Sequence, residues 1–161
     1  MNNENVIKFY SIHGEYGCFS NFYKCKINMY DNIWKSSEHI FQAQKFMGKN
    51  SSDEDKKHSN KIRNSKVAYI AAKLGRMRYG PFKLRSDWED VKVNIMEEIL
   101  MEKFQQNLIL KKVLLETDNK VIIEHTKNDK FWGDGGDGSG KNMLGKSLMT
   151  VRNNVCDMTK K

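Results

Sequence analysis

Trp34-Lys35-Ser36-Ser37-Glu38-His39-Ile40-Phe41-Gln42-Ala43-Gln44-Lys45-Phe46 is the stretch on which the rest of the chain turns. It reads as a helix entered through a serine, because a hydroxyl oxygen at Ser36 or Ser37 can accept from the free N–H groups of the first turn. Glu38 then stands where the helix dipole favours a carboxylate. The helical pattern runs to about Gly48. At a helical period Glu38, Gln42 and Lys45 share one side, and Ile40, Ala43 and Met47 share the opposite side and can face a core. One helix thus carries a packed face and a face bearing acid, amide and amine. On these residues alone the plainer reading is a solvated polar surface, because charged residues are mostly exposed.

The chain has 161 residues, which suits one domain with room for a real core, and we expect a single domain over 1–161 with its core over about 7–152. Hydrophobic content of 39% with a single proline fits a folded, helix-rich protein. The formal net charge of +8 favours anionic partners such as nucleic acid or phosphorylated small molecules. No run has the apolar length of a transmembrane helix, and the polar Met1-Asn2-Asn3-Glu4-Asn5 lacks the order of a signal peptide. Cys18, Cys25 and Cys156 show no paired spacing, so a disulfide scaffold or zinc site is not expected and a reducing cytoplasm is. His13, His39, His58 and His125 are scattered without metal-ligand spacing. His39 follows Glu38 directly and reads as a packing or orienting group.

Outward from the helix, Val6 to Tyr10 is a β-prone run. Phe19-Ser20-Asn21-Phe22-Tyr23 sets a small amide, Asn21, between rings that either anchor a loop or stack on a flat ligand. Cys25 to Trp34 reads as a hairpin turning at Asp31-Asn32. Lys49 to Asn60 is a polar loop or exposed short helix, and Ser65 is placed to cap a helix ending near Gly75. Ser86 and Glu89 match a capping box before the longest helix, which carries Val91, Ile95, Ile99 and Phe104. Leu108 to Leu115 is helical, Asp118-Asn119 turns the chain, and Val121-Ile122-Ile123 is a short buried strand.

Asp129 to Asn142 is the second informative stretch, with glycine at 133, 135, 136, 138 and 140. Glycines allow positive φ and close backbone approach. Its aspartates are acceptors for ribose hydroxyls, its N–H groups could cradle a phosphate, and a helix beginning near Asn142 would aim its N-terminus at the loop. Gly140 to Ser147 satisfies the Walker A spacing, yet no strand precedes it, and Met143, Leu144, Leu148 and Val151 read as the core face of a helix. Asp129, Asp134 and Asp137 lack the twelfth-position acid of an EF-hand, so no metal is expected.

Taken in order, Tyr16 to Phe22, Trp34 to Phe46, Leu74-Gly75-Arg76, Trp88, Lys103-Phe104, Asp129 to Asn142, Leu144-Gly145, Leu148-Met149 and Val151-Arg152 resemble the YbiA-like, or NADAR, family from about Ile7 to Arg152. Asn64-Ser65-Lys66 departs from a family proline at a helix start, and Tyr23-Lys24-Cys25 from a more neutral stretch. The resemblance implies an α+β fold, mainly α-helical, with a small β-sheet. It also implies an N-glycosidase without cofactor that hydrolyses ribosylamino-pyrimidine 5′-phosphates of early riboflavin biosynthesis to release ribose 5-phosphate. Related members remove ADP-ribose from guanine in nucleic acid, and a non-catalytic ADP-ribose or NAD binder is a third alternative.

Breaking a C1′–N bond builds positive charge on the sugar and negative charge on the leaving base, so the site needs a carboxylate and a proton donor. Glu38 is the expected acid/base group. Lys45 is either a phosphate anchor or an amine nucleophile, the latter requiring a depressed pKa. Asp134 is the third catalytic candidate, and with Asn21 and Gln42 it would hydrogen-bond base or ribose. Phe22, Trp88 and Trp132 would stack on the base, and Arg76 with Gly133, Gly138 and Asn142 would hold phosphate. For Arg76 a helix-end ion pair, and for Trp88 core packing, compete with those roles.

Overall fold

A computed structural model describes residues 5–159. The chain divides into two compact units, one made of the residues up to Ser20 together with those from Phe104 onward, the other of Asn21–Lys103. The architecture is α+β and mainly helical, as the resemblance implies. Its strands form two separate two-stranded sheets.

In the first unit, strands β1 (Val6–Phe9) and β4 (Val121–Glu124) pair in parallel, with Val6 opposite Val121 and Phe9 opposite Glu124. Ile7, Phe9 and Ile122 point inward, as alternation along a strand requires. Helices α5 (Leu108–Leu115) and α6 (Met143–Thr159) complete the unit, α6 packing on β4 and α5 on α6. Leu144, Leu148, Val151 and Val155 recur along the buried side of α6. The Walker-spaced residues Met143 to Ser147 therefore lie inside a helix. Phe9, Phe19 and Phe104 interlock, with centroids 5.7 Å and 6.2 Å apart in edge-on geometry.

In the second unit, β2 (Ile27–Met29) and β3 (Asn32–Trp34) form an antiparallel hairpin. Its turn is Tyr30-Asp31, one residue earlier than expected. Both central residues have positive φ, 52° and 57°, the type I′ geometry that suits the twist of a tight hairpin. Helix α1 (Ser37–Gln44) packs on α2 (Asp53–Asn64) and α3 (Ala68–Gly75), and α4 (Trp88–Gln106) runs out of this unit at Lys103.

Four expectations are corrected here. Helix α1 ends at Gln44, short of Gly48. The carbonyls that follow it bond to groups outside the helix, Lys45 O accepting from Arg85 N at 2.8 Å and Phe46 O from Ser51 Oγ at 2.7 Å. The polar stretch after Lys49 becomes the 12-residue helix α2, entered through a capping box of Ser52 and Asp55. Its inner face is Asp55, His58, Ser59 and Ile62, so hydropathy conceals it. Ser65 closes α2, and α3 starts after Val67 with no side-chain cap. Asp87, not Ser86, immediately precedes α4, and its carboxylate takes a bidentate pair from Arg85 at 2.6 Å and 2.8 Å.

Candidate active site

Every residue of α1 is buried. The face carrying acid, amide and amine is therefore interior, and the solvated-surface reading fails. Ser36 is the N-cap, its Oγ accepting from His39 N at 3.4 Å. His39 Nε2 lies 3.3 Å from the Ser65 carbonyl, which fixes that nitrogen as the donor, and Nδ1 accepts from Ser36 Oγ at 2.7 Å. Burial keeps this ring below the ordinary histidine pKa, although the Ser65 carbonyl pulls the other way. His39 is thus an orienting group, tying the start of α1 to the end of α2.

Asn21 braces the same turn. Its carbonyl accepts from Glu38 N at 3.0 Å, its Oδ1 accepts from Ser37 Oγ at 3.0 Å, and its Nδ2 reaches Met96 Sδ at 3.5 Å. An amide expected to contact a ligand instead holds the backbone from which Glu38 projects. Phe22, beside it, is the more exposed group, at 36%.

Glu38 and Gln42, one turn apart, are joined by Gln42 Nε2 donating to Glu38 Oε1 at 2.7 Å. Gln42 Oε1 is buried and has no hydrogen-bond partner. Lys45 follows at the C-cap of α1, only 8% exposed. Its Nζ lies 5.7 Å from the Phe41 ring centroid and 5.9 Å from that of Trp88. These two rings pack against each other with centroids 4.9 Å apart. Desolvation lowers the Lys45 pKa to about 8; the Glu38 carboxylate opposes this, while Arg78, Arg76 and Lys92 add to it. Trp88 is 5% exposed, so its ring serves as the floor beneath Lys45 and not as an open platform for a base.

Arg76 caps the end of α3 and is exposed. Arg78 donates through Nη1 to the carbonyls of Gly75 and Met77, both at 3.0 Å, and Lys92 pairs with Glu89. Phe41, Arg78 and Lys92 are members of this cluster that the sequence reading missed. A helical walk from Lys45 back to Phe41, and the basic run Arg76-Met77-Arg78, were the available signals.

The glycine-rich loop, in the other unit, is organised by its own polar groups. Asp134 Oδ1 accepts from Thr126 N at 3.1 Å and Gly136 N at 2.8 Å, and Oδ2 meets His125 Nδ1 at 2.7 Å. Burial pushes this carboxyl up, but the bonds from His125, Gly136 and Thr126 together hold it below the ordinary aspartate value. Asn142 Oδ1 accepts from Glu124 N and its Nδ2 donates to Ile122 O, both at 2.9 Å, so its amide braces β4. Met143 N and Leu144 N donate to Phe131 O and Trp132 O at 3.0 Å each, so two of the donors at the head of α6 are used by the loop itself.

Asp134 and Asn142 thus support the loop and strand β4 through their own hydrogen bonds. Gly133 packs where a Cβ would lie 2.6 Å from Thr126 Cγ2 and 2.9 Å from Asp129 O. Gly138 has a φ of +84° with open space around it. Trp132 is half-buried, its ring edge-on to Phe131 at 5.0 Å. His125, the partner of Asp134, went unnoticed because nothing in its local spacing marks it. Among the described residues no group of three His, Cys, Asp or Glu side chains could hold a metal ion, and no helix is long and apolar enough to cross a membrane.

A buried carboxylate, amide and low-pKa amine stand along α1 and its C-cap, groups of the kind that acid/base and nucleophilic chemistry use. The NADAR domain model matches residues 8–156, and the chain belongs to that family. Over 149 residues it is 44% identical to N-glycosidase YbiA of Escherichia coli, covering 92% of this chain and 88% of that protein. It is 42% identical to a riboflavin biosynthesis protein of Vibrio vulnificus, covering 92% of this chain and 38% of that longer protein. The NMR structure of E. coli YbiA superimposes with a TM-score of 0.85 at 39% identity, covering 100% of this chain and 90% of the other. The protein is an enzyme, an N-glycosidase that hydrolyses N-glycosyl compounds.

Proposed function

We propose that the substrate is a ribosylamino-pyrimidine 5′-phosphate of early riboflavin biosynthesis and that Lys45 and Glu38 carry its hydrolysis to ribose 5-phosphate. The observation that carries this reading is the buried Lys45 amine over Phe41 and Trp88, with its pKa lowered to about 8. At pH 7 that environment leaves roughly a tenth of the amine neutral, against well under a thousandth for an ordinary lysine, and a nucleophile requires the neutral form. Lys45 Nζ attacks C1′ and the C1′–N bond breaks with its electron pair passing to the base nitrogen. Glu38 takes the proton released by the attacking amine and delivers it to the departing base amine. The adduct opens at the C1′–O4′ bond, its N–H proton passing to O4′, to give an imine. Water adds to C1′, the C1′–Nζ bond breaks as the hydroxyl proton of the adduct returns to Nζ, and ribose 5-phosphate leaves with Lys45 restored. Arg76, with Arg78 and Lys92 beside it, supplies positive charge for the 5′-phosphate.

The riboflavin name of the Vibrio relative supports this substrate class. The NADAR model runs across both compact units, which supports reading them as one domain. Three free thiols suit a cytoplasmic setting. The net charge of +8 is the observation that favours ADP-ribosylated guanine in nucleic acid as the competing substrate.

The test is to incubate the enzyme with each substrate and follow release of ribose 5-phosphate or ADP-ribose. Glu38→Gln should lower kcat on the pyrimidine by roughly 10²–10⁴-fold. Unchanged turnover would remove Glu38 from the mechanism. Release of ADP-ribose alone, or tight ADP-ribose binding without any turnover, would replace the substrate assignment.

A further inference from the structure

A glycine inside a helix is destabilising relative to alanine, because it loses more backbone freedom on folding. Gly75 closes α3, is buried, and is absent from the glycines with positive φ, so its backbone does not require glycine. Space does. A Cβ at position 75 would lie 2.7 Å from Gln42 Cδ and 2.8 Å from Gln42 Cβ, and closer still to Oε1. The Gln42 side chain has little freedom to yield, being 5% exposed and bound at 2.7 Å to Glu38 Oε1 through Nε2.

Its other end carries a buried acceptor with no partner, an arrangement that folded proteins normally avoid. Turning the amide over would not relieve it, since Oε1 would then face an acceptor oxygen of Glu38. The carboxamide is therefore wedged between α3 and Glu38 with its donor end forced toward the carboxylate.

We infer that Gly75 is a positioning residue for Glu38: by leaving the space that the Gln42 carboxamide fills, the end of α3 sets the direction of the Gln42-to-Glu38 hydrogen bond. A donor held on that oxygen favours the ionised carboxylate, the form that accepts the amine proton in the first step. The inference rests on the proposed role of Glu38, and one arm of its test is independent of turnover.

That arm follows the side-chain amide resonances of Gln42 by NMR across pH in the full-length protein. They should shift with the ionisation of Glu38, lose that shift in Glu38→Gln, and lose it in Gly75→Ala. A Gln42 amide that does not sense Glu38 overturns the inference whatever the kinetics. A Gln42 amide that does sense it, in a protein where Glu38→Gln turns over normally, removes only the catalytic role of Glu38.

The kinetic arm compares Gly75→Ala, Gln42→Ala and the double variant. Gly75→Ala should lower kcat by roughly 10–100-fold with KM within about threefold. Its acid limb should move to higher pH, because the carboxylate has lost its aimed donor. Gln42→Ala should show the same limb shift, and it carries this part of the test should Gly75→Ala fail to fold. In the double variant position 42 is glycine: adding Gly75→Ala to Gln42→Gly should change kcat little, since glycine at 42 removes both the carboxamide and the Cβ that a Cβ at 75 would meet. An unmoved acid limb, or losses that multiply, would mean that Gly75 acts on the fold alone.

Discussion

Helix α1 and the glycine-rich loop both gather acids, amides and cations, and they use them in opposite ways. In the loop, Asp134 accepts two backbone N–H groups and meets one histidine, Asn142 braces two backbone groups of β4, and Asp129 Oδ1 accepts from Phe131 N and Trp132 N at 2.8 Å and 2.7 Å. Each of these side chains builds the loop. On α1, Gln42 keeps an orphan oxygen and Lys45 sits over aromatic rings at a pKa of about 8. Buried polar groups are normally satisfied. Where they are not, the unmet capacity is the mark of a site. An orphan oxygen and a perturbed amine thus lie together along α1 and its C-cap, although the loop has the more conspicuous sequence.

The largest break in this comparison comes at Lys45. The folded pKa lies below the ordinary lysine value of 10.5, so the native state releases the proton first. A nucleophilic Lys45 makes kcat rise with pH through about 8, whereas a phosphate anchor makes kcat/KM fall above that pH. Lys45→Arg should abolish the inflection and cost at least about 10²-fold in kcat. Borohydride should trap the sugar on Lys45 in the wild type and not in the variant. Holding an ammonium in this position also costs stability, and that cost is fully present below about pH 8 and disappears as pH rises toward 10.5. Lys45→Met should therefore raise the unfolding free energy at pH 7 by roughly 1–3 kcal/mol while losing turnover. The gain should fade by pH 10, and denaturant titrations at the two pH values check it.

Asp134 tests the loop side in the reverse direction. Its folded pKa lies below the ordinary value of 3.8, so its contribution is present above that value and is lost as pH falls through the folded pKa. Asp134→Asn should lose roughly 1–3 kcal/mol of stability at pH 7, and the deficit should close in strong acid. A variant with wild-type stability and a collapsed kcat would return Asp134 to the catalytic role and undo the contrast.

What was legible in the sequence was local. Ser36 caps α1, Gly75 ends α3, and Met143 opens α6, because caps and breakers act within a few residues. Helix α2 was legible only as a polar loop or a short exposed helix, because its buried face is Asp55, His58 and Ser59 with a single apolar residue, Ile62. The state of Lys45 depends on Trp88, Arg76 and Arg78, distant in sequence and brought close by folding. The carbonyls of Phe131 and Trp132 that engage the head of α6 belong to the backbone, which carries no sequence signature. Thus Glu38, Gln42 and Lys45 could be read as one helical face, while the burial that makes that face reactive could not.

The smallest effect separates side chain from backbone at Asn142. Its φ is 50°, a conformation asparagine and glycine tolerate better than alanine. Asn142→Ala loses both bonds to β4 and adds left-handed strain, so it should cost roughly 2–3 kcal/mol. Asn142→Gly loses the same bonds without the strain, and should unfold about 1 kcal/mol later than the alanine variant in the same denaturant titration. If the two variants are equal, the brace alone matters and the backbone conformation does not. If instead both keep their stability and raise KM, the Asn142 amide contacts substrate and is not a brace alone.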